Sequence, residues 1–173
     1  MSGVRVEVGA GNHPKEGYIH CDIRPDLPDV EYTCNAWELP FGNGTVEEVY
    51  TYHMLEHVTE FDGQRSIREW FRVLQSGGRV EIHVPDLDGH VRQYLASGNT
   101  RVIGHTHITN RRHALQGFYG WQVYPEDVHK WGYNFETLSE TLAAVGFQRI
   151  RRLEITDPQV DASLLLDVEA FKP

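Results

Sequence analysis

Two histidines bracket an acid in His53-Met54-Leu55-Glu56-His57. Imidazole's pKa suits neutral pH, so a histidine can serve as a general base. The same spacing can ligate a metal, because His53-x-x-Glu56-His57 has the form of an inverted zinc-protease motif. A third use is structural, with Glu56 capping or pairing and His57 packing. The protease geometry needs both histidines on a long regular helix, and the β-forming run Val46–Tyr52 just before them argues against one. A second reactive group of residues lies further on. His105, His107, His113 and His129 share a segment with Arg111, Arg112 and Lys130, interleaved with Phe118, Tyr119, Trp121, Tyr124 and Trp131. Such a mixture can cover a site and hold a planar or anionic acceptor. His129 is its candidate general base. A solvated loop with its aromatics pinned to the core is the plainer alternative.

Near the amino end, Val4, Val6 and Val8 alternate with Arg5 and Glu7 and run into Gly9-Ala10-Gly11. Alternation means strand, and a Gly-x-Gly turn lets a ligand approach the backbone closely. The next strand candidate, Gly17 to Ile23, carries Asp22 at its tip. A glycine turn after one strand and an acid at the end of the next hold the ribose of a nucleoside-type cofactor in doubly wound folds. The dinucleotide fingerprint places its acid about 20 residues on and ends its turn on a third glycine. Here Pro14 stands at the third position and Asp22 comes only 13 positions after Gly9. The spacing suits a cofactor without a pyrophosphate, such as S-adenosylmethionine. Glu7 inside the first strand either meets the cofactor's amino-acid end and a nearby loop N–H, or faces outward.

These residues need elements to position them. Strand three is expected at Val30–Cys34, strand four at Val46–Tyr52 and strand five at Arg79–Val84. Residues 9–18 are too few for a crossover helix, which normally takes a dozen or more, so the first helix is reduced to a turn. A helix is expected from Asp62, as N-cap, to Leu74, closed by Gly77-Gly78. Another starts at Pro85-Asp86, with Leu87, Val91, Tyr94 and Leu95 as its inner stripe. Asn134 caps a last helix, Phe135–Val145, ended by Gly146. Phe147–Ile155 and Ser163–Phe171 read as a terminal antiparallel pair. The result is an α/β, Rossmann-like, doubly wound sheet of about seven strands in one domain, 1–173. Residues 97–133 read as an inserted irregular lid or substrate loop, a length that is functional or hides short elements.

Five stretches in order carry a family resemblance. They are Val6-Glu7-Val8-Gly9-Ala10-Gly11, Cys21-Asp22-Ile23, Trp37-Glu38-Leu39-Pro40-Phe41, Tyr52 to Val58, and Arg68 to Arg79. Together they resemble the class I S-adenosylmethionine-dependent methyltransferases, in particular small ones with an H-x-L-E-H motif after strand four. The resemblance implies methyl transfer from S-adenosylmethionine to an acceptor by in-line displacement. It implies cofactor contacts at Glu7, Gly9, Ala10, Gly11, Asp22, Ile23, Asn35, Ala36, Trp37 and His53, with His53 facing the sulfonium and substrate. Asn35 replaces the usual Asp, and its carbonyl oxygen can still accept from an adenine amino group. His53 and His129 are the catalytic candidates, and no residue is assigned to a metal. The His53, Glu56, His57 group also resembles the metal cluster of small-RNA-terminus methyltransferases, with His105, His107 or His113 as further ligands. A methyltransferase-fold protein that binds cofactor or a partner without catalysis is a further alternative.

The formal net charge of −9 opposes non-specific nucleic-acid binding, and no N-P-P-Y-type motif follows strand four. A small-molecule or glycan acceptor is therefore expected. Residues 1–100 hold 8 basic and 16 acidic side chains, whereas 101–173 hold 8 and 9, so an anionic acceptor would meet the carboxy-terminal part. Cys21 and Cys34 make no disulfide framework. With no apolar run of membrane-spanning length and no leader-like start, a cytoplasmic protein is expected.

Overall fold

A computed structural model describes residues 3–100, 108–157 and 159–173. Its main sheet has seven strands: β1 (Val4–Val8), β2 (Ile19–Asp22), β3 (Tyr32–Thr33), β4 (Val46–Tyr52), β5 (Leu74–Pro85), β8 (Gln148–Arg152) and β9 (Leu165–Phe171). Two short strands outside it, β6 (Asn99–Thr100) and β7 (Ile108–Thr109), pair with each other. The main order is β3-β2-β1-β4-β5-β9-β8. The first five strands are parallel, and β9 runs antiparallel between β5 and β8. This is the Rossmann-like sheet with a terminal antiparallel pair that the alternation led us to expect. The strand expected at Val30–Cys34 is only two residues long, because it is the exposed edge with a partner on one side.

The two faces of the sheet differ chemically. Val6, Val8, Val49, Val80, Ile82, Val84, Leu166, Val168 and Ala170 point to one face and are buried. Trp70 of α1 (Glu60–Val73) and Leu138 and Leu142 of α4 (Phe135–Val145) join them in one core. On the other face alternate positions are polar. Arg79 reaches Glu48 at 2.7 Å, Glu81 at 2.9 Å and Glu169 at 3.1 Å. His83 lies between Glu81 and Asp167 at 2.8 and 2.9 Å, and Tyr18 donates to Glu48 at 2.7 Å. A crossover helix needs an apolar floor, and an ion-pair ladder does not provide one. The connection from β1 to β2 accordingly contains no helix and passes as turns.

Several local expectations are corrected. α1 starts two residues early, because Thr59 rather than Asp62 is the N-cap; its hydroxyl accepts from the Asp62 N–H at 3.2 Å. β5 begins directly at Leu74, and the glycines lie in its bulged start rather than before it. α2 (Leu87–Leu95) is capped by Asp86, but Val91, Tyr94 and Leu95 are exposed. Its inner side is Gly89 and His90, since only a residue without Cβ fits there; an added Cβ at Gly89 would lie 1.9 Å from the Ser163 carbonyl oxygen. The supposedly irregular 97–133 segment contains α3 (Asn110–Tyr119), packed on α2 and capped by Thr109. α4 has its Asn134 capping box and its left-handed Gly146 as expected.

Candidate functional site

The carboxyl ends of β1, β2 and β4 surround a cleft of about 700 Å³. That volume falls in the range of small-molecule sites. Its floor is the turn Gly9-Ala10-Gly11. Gly9 has φ +76°, and a Cβ there would come 2.2 Å from Cγ of Met54, so only glycine lets the two segments meet. Gly9 and Ala10 both donate to the Cys21 carbonyl, at 2.8 and 3.2 Å, which ties the turn to β2. Asp22 completes the tie. Its Oδ2 accepts from the Gly11 N–H and its Oδ1 from the Arg24 N–H, both at 2.9 Å. The carboxylate is therefore fixed at the strand tip, at the edge of the cleft.

Glu7 is buried, not outward-facing, and accepts from the Lys15 N–H at 2.6 Å. Burial raises its carboxyl above the usual range, partly offset by that bond. Lys15 was not foreseen at the site. Its ammonium sits 3.7 Å over the Tyr50 ring and both residues line the cleft. No periodicity marks a lone lysine between two turns. Asn35, Ala36 and Trp37 line the opposite wall. Trp70 holds this loop by donating from Nε1 to the Ala36 carbonyl at 3.1 Å, and Glu69 accepts from the Leu39 N–H at 2.7 Å. Ile23 also lines the cleft, although it is largely exposed. All ten expected cofactor contacts thus border one cavity.

His53 stands at the tip of β4 with φ +49°, unusual for a residue with a Cβ. Its backbone N–H donates to the His83 carbonyl and its Nδ1 lies 2.9 Å from Glu56 Oε1. Glu56 is 1% exposed. Burial alone would raise its carboxyl, but the hydrogen bond and charge of His53, together with His57, hold it below the usual range. His57 borders the cleft as well.

His129 does not border this cleft. Its ring meets that of His57 edge-on at 4.9 Å, and it borders a second cavity of about 380 Å³ with Glu56, His90, Phe118 and Trp131. Burial lowers the pKa of His129, and pushes that of His90 down to about 4. Arg111 and Arg112 lie exposed in the first turn of α3 and border neither cavity. His113 pairs with Gln93 at 3.0 Å and stands by His90, so it is no partner of Glu56. His105 and His107 lie outside the described residues. The 97–133 segment reaches the cleft instead through Tyr124, Glu126 and Lys130. The Arg24 guanidinium lies 5.6 Å from the Tyr124 ring centroid.

Comparison with known proteins agrees with this fold. Residues 12–82 match the family model of a methyltransferase domain. An S-adenosylmethionine-dependent methyltransferase of Thermotoga maritima superimposes with a TM-score of 0.68 at 14% identity, over 100% of this chain and 84% of its own. One from Archaeoglobus fulgidus gives 0.65 at 16%, over 98% and 86%. The 1,6-didemethyltoxoflavin-N1-methyltransferase of Burkholderia thailandensis, solved with its substrate and S-adenosylhomocysteine, gives 0.62 at 16%, over 98% and 70%. No match was found among curated proteins. The chain has the methyltransferase fold. Among the described residues no helix is long and apolar enough to cross a membrane.

Proposed function

We propose that this protein is a class I methyltransferase, of the small group with the H-x-L-E-H motif, acting on a small-molecule or glycan-type acceptor. The observation that carries this reading is the Gly9-Ala10-Gly11 turn bound to Asp22 at the mouth of a 700 Å³ cleft. S-adenosylmethionine supplies an activated methyl group when bound. The chain's own residues bind, align and shield. Asp22 takes the ribose hydroxyls, Asn35 to Trp37 hold the adenine side, and the Gly9 turn admits the amino-acid end toward Glu7 and Lys15. A His53 ring that donates from Nδ1 to Glu56 keeps its Nε2 lone pair, so it can receive the acceptor's proton. The acidic net charge supports a compact acceptor over nucleic acid, and the free thiols Cys21 and Cys34 fit a cytoplasmic setting.

Calorimetry with S-adenosylmethionine and S-adenosylhomocysteine tests the cofactor, and release of S-adenosylhomocysteine across an acceptor panel tests turnover. Micromolar binding lost in Asp22→Ala, with turnover of one acceptor class, is expected. Absence of binding by both ligands overturns the reading. Binding without turnover on any acceptor would favour the non-catalytic alternative.

A further inference from the structure

Glu56, His57 and His129 come together although 72 positions separate the two histidines. One ligand-capable atom from each lies within 4.8 Å of the other two. The segment before Tyr133 is latched onto the turn after β4 by its backbone: Lys130 and Trp131 both donate to the Glu56 carbonyl, at 2.8 and 3.2 Å. The trio is therefore placed by main-chain bonds and does not rely on side-chain chance.

Each member already has an outer partner. Glu56 Oε1 is held by His53 at 2.9 Å. His129 Nδ1 lies 2.8 Å from the Gly117 carbonyl, and His57 Nδ1 lies 3.4 Å from the Val128 carbonyl. A carbonyl can only accept, so both rings donate from Nδ1 and keep their lone pairs on Nε2. Glu56 Oε2, by contrast, is buried and meets no hydrogen-bond donor of another residue among the described residues. A buried carboxylate oxygen without a partner is costly, because it has lost its hydration and regained no donor. A carboxylate with one orphaned oxygen, in a group with two imidazoles each oriented by a carbonyl, suits a metal site whose outer partners are in place.

We propose that Glu56 Oε2, His57 Nε2 and His129 Nε2 bind one divalent metal ion of the zinc class. Two imidazoles and one carboxylate suit zinc, with bonds of about 2.0–2.2 Å. Ligand atoms on a tetrahedral ion at those lengths lie about 3.4 Å apart, so a trio held within 4.8 Å contracts by up to about 1.4 Å on loading. Three protein ligands leave a fourth position for water or an acceptor oxygen. His57 borders the large cleft while Glu56 and His129 border the smaller cavity, so the ion would sit between the two. His53 is the carboxylate's holder in this arrangement and not a ligand.

The test uses untagged full-length protein, stripped with chelator, titrated with zinc chloride and separately with cobalt chloride. We expect one equivalent of zinc retained after dialysis, and a cobalt absorption spectrum of a four-coordinate N/O site. Glu56→Gln, His57→Gln and His129→Gln should each weaken zinc at least tenfold, while circular dichroism confirms that the apo variants are folded. Gln93→Ala, near His113, should leave zinc binding unchanged. Less than about a tenth of an equivalent bound by folded wild-type protein overturns the proposal. So does full retention of zinc by folded His57→Gln and His129→Gln, which would place the metal elsewhere. Because binding is read without cofactor or acceptor, failure here is distinguishable from failure of the methyltransferase reading.

Discussion

Gly11 donates its backbone N–H to Asp22 Oδ2 at 2.9 Å, so the acid at the end of β2 holds the turn at the end of β1. The same carboxylate therefore shapes the turn and borders the cleft. Losing a hydrogen bond to a charged group costs about 1.5–3 kcal/mol, or roughly 10- to 150-fold in a dissociation constant. Asp22→Ala should weaken S-adenosylhomocysteine by at least tenfold in calorimetry, and Asp22→Asn, which keeps one acceptor oxygen, by less. Affinity within threefold of wild type in Asp22→Ala would remove Asp22 from the site.

Gly9 and Gly11 separate two effects that glycine can have. Both have positive φ, +76° and +62°, but a Cβ at Gly9 meets Met54 at 2.2 Å while one at Gly11 finds no atom closer than 3.8 Å. Gly11→Ala should cost only the left-handed backbone, about 1 kcal/mol. Gly9→Ala adds a clash, and should cost about 2–4 kcal/mol. Met54→Gly in the same chain, which removes both the Cγ at 2.2 Å and the Cβ at 2.5 Å, should recover the steric part, which a double-mutant cycle on urea unfolding resolves. Equal losses in the two single variants would refute the contact.

What the sequence could tell follows from how local each signal is. β1, β4 and the later part of β5 were legible because β-branched residues alternate there, and α4 because Asn134 and Gly146 punctuate it. α3 was missed because Ala114 is its only buried residue, so no apolar stripe marks it. The stripe assigned to α2 failed because its seat is a glycine and a histidine, which no hydrophobic pattern flags. The wall of the cleft was readable from strand tips, since topology alone brings those tips together. Lys15, Met54 and Tyr124 were not, because turns and long-range folding place them. The same holds for the pairing of Glu56 with His129, which depends on backbone bonds from Lys130 and Trp131.

His83 sets a limit on alkaline stability. Burial opposes its charge, but hydrogen bonds to Asp167 and Glu81 outweigh this and push its pKa up to about 9. Tyr50 and Tyr52 of β4 pack tilted against the ring from the neighbouring strand, and Glu81 is itself shared with Arg79. The folded value exceeds the unfolded value near 6.5, so the stabilisation is complete below about pH 6.5 and is lost as pH rises through 9. The change amounts to at most roughly 3 kcal/mol. Urea midpoints should fall between pH 6.5 and 9.5 in wild type, and this decline should flatten in His83→Gln. An identical slope in the variant would assign the decline to other groups.

The 97–133 segment contributes to the cleft through its later part, and this decides which of its cations can matter. Lys130 and Tyr124 border the cavity, whereas Arg111 and Arg112 are exposed on α3 and border neither cavity. Lys130 is fixed by its own N–H on the Glu56 carbonyl, so its side chain starts from a held backbone and borders the cleft that His53 also borders. On the reading that this segment closes over the cofactor and supplies the acceptor site, Lys130 recognises an acceptor's anionic or oxygen-rich group. Lys130→Ala should then raise the acceptor KM by about tenfold, the loss of one charge-assisted contact, with cofactor affinity changed by less than threefold. Arg111→Ala with Arg112→Ala should leave kcat and KM unchanged. Steady-state kinetics on the acceptor class found by screening make the comparison. If the arginine pair lowers turnover and Lys130→Ala does not, the acceptor is held on the α3 side, and the cleft wall from Tyr124 to Lys130 serves only to exclude water.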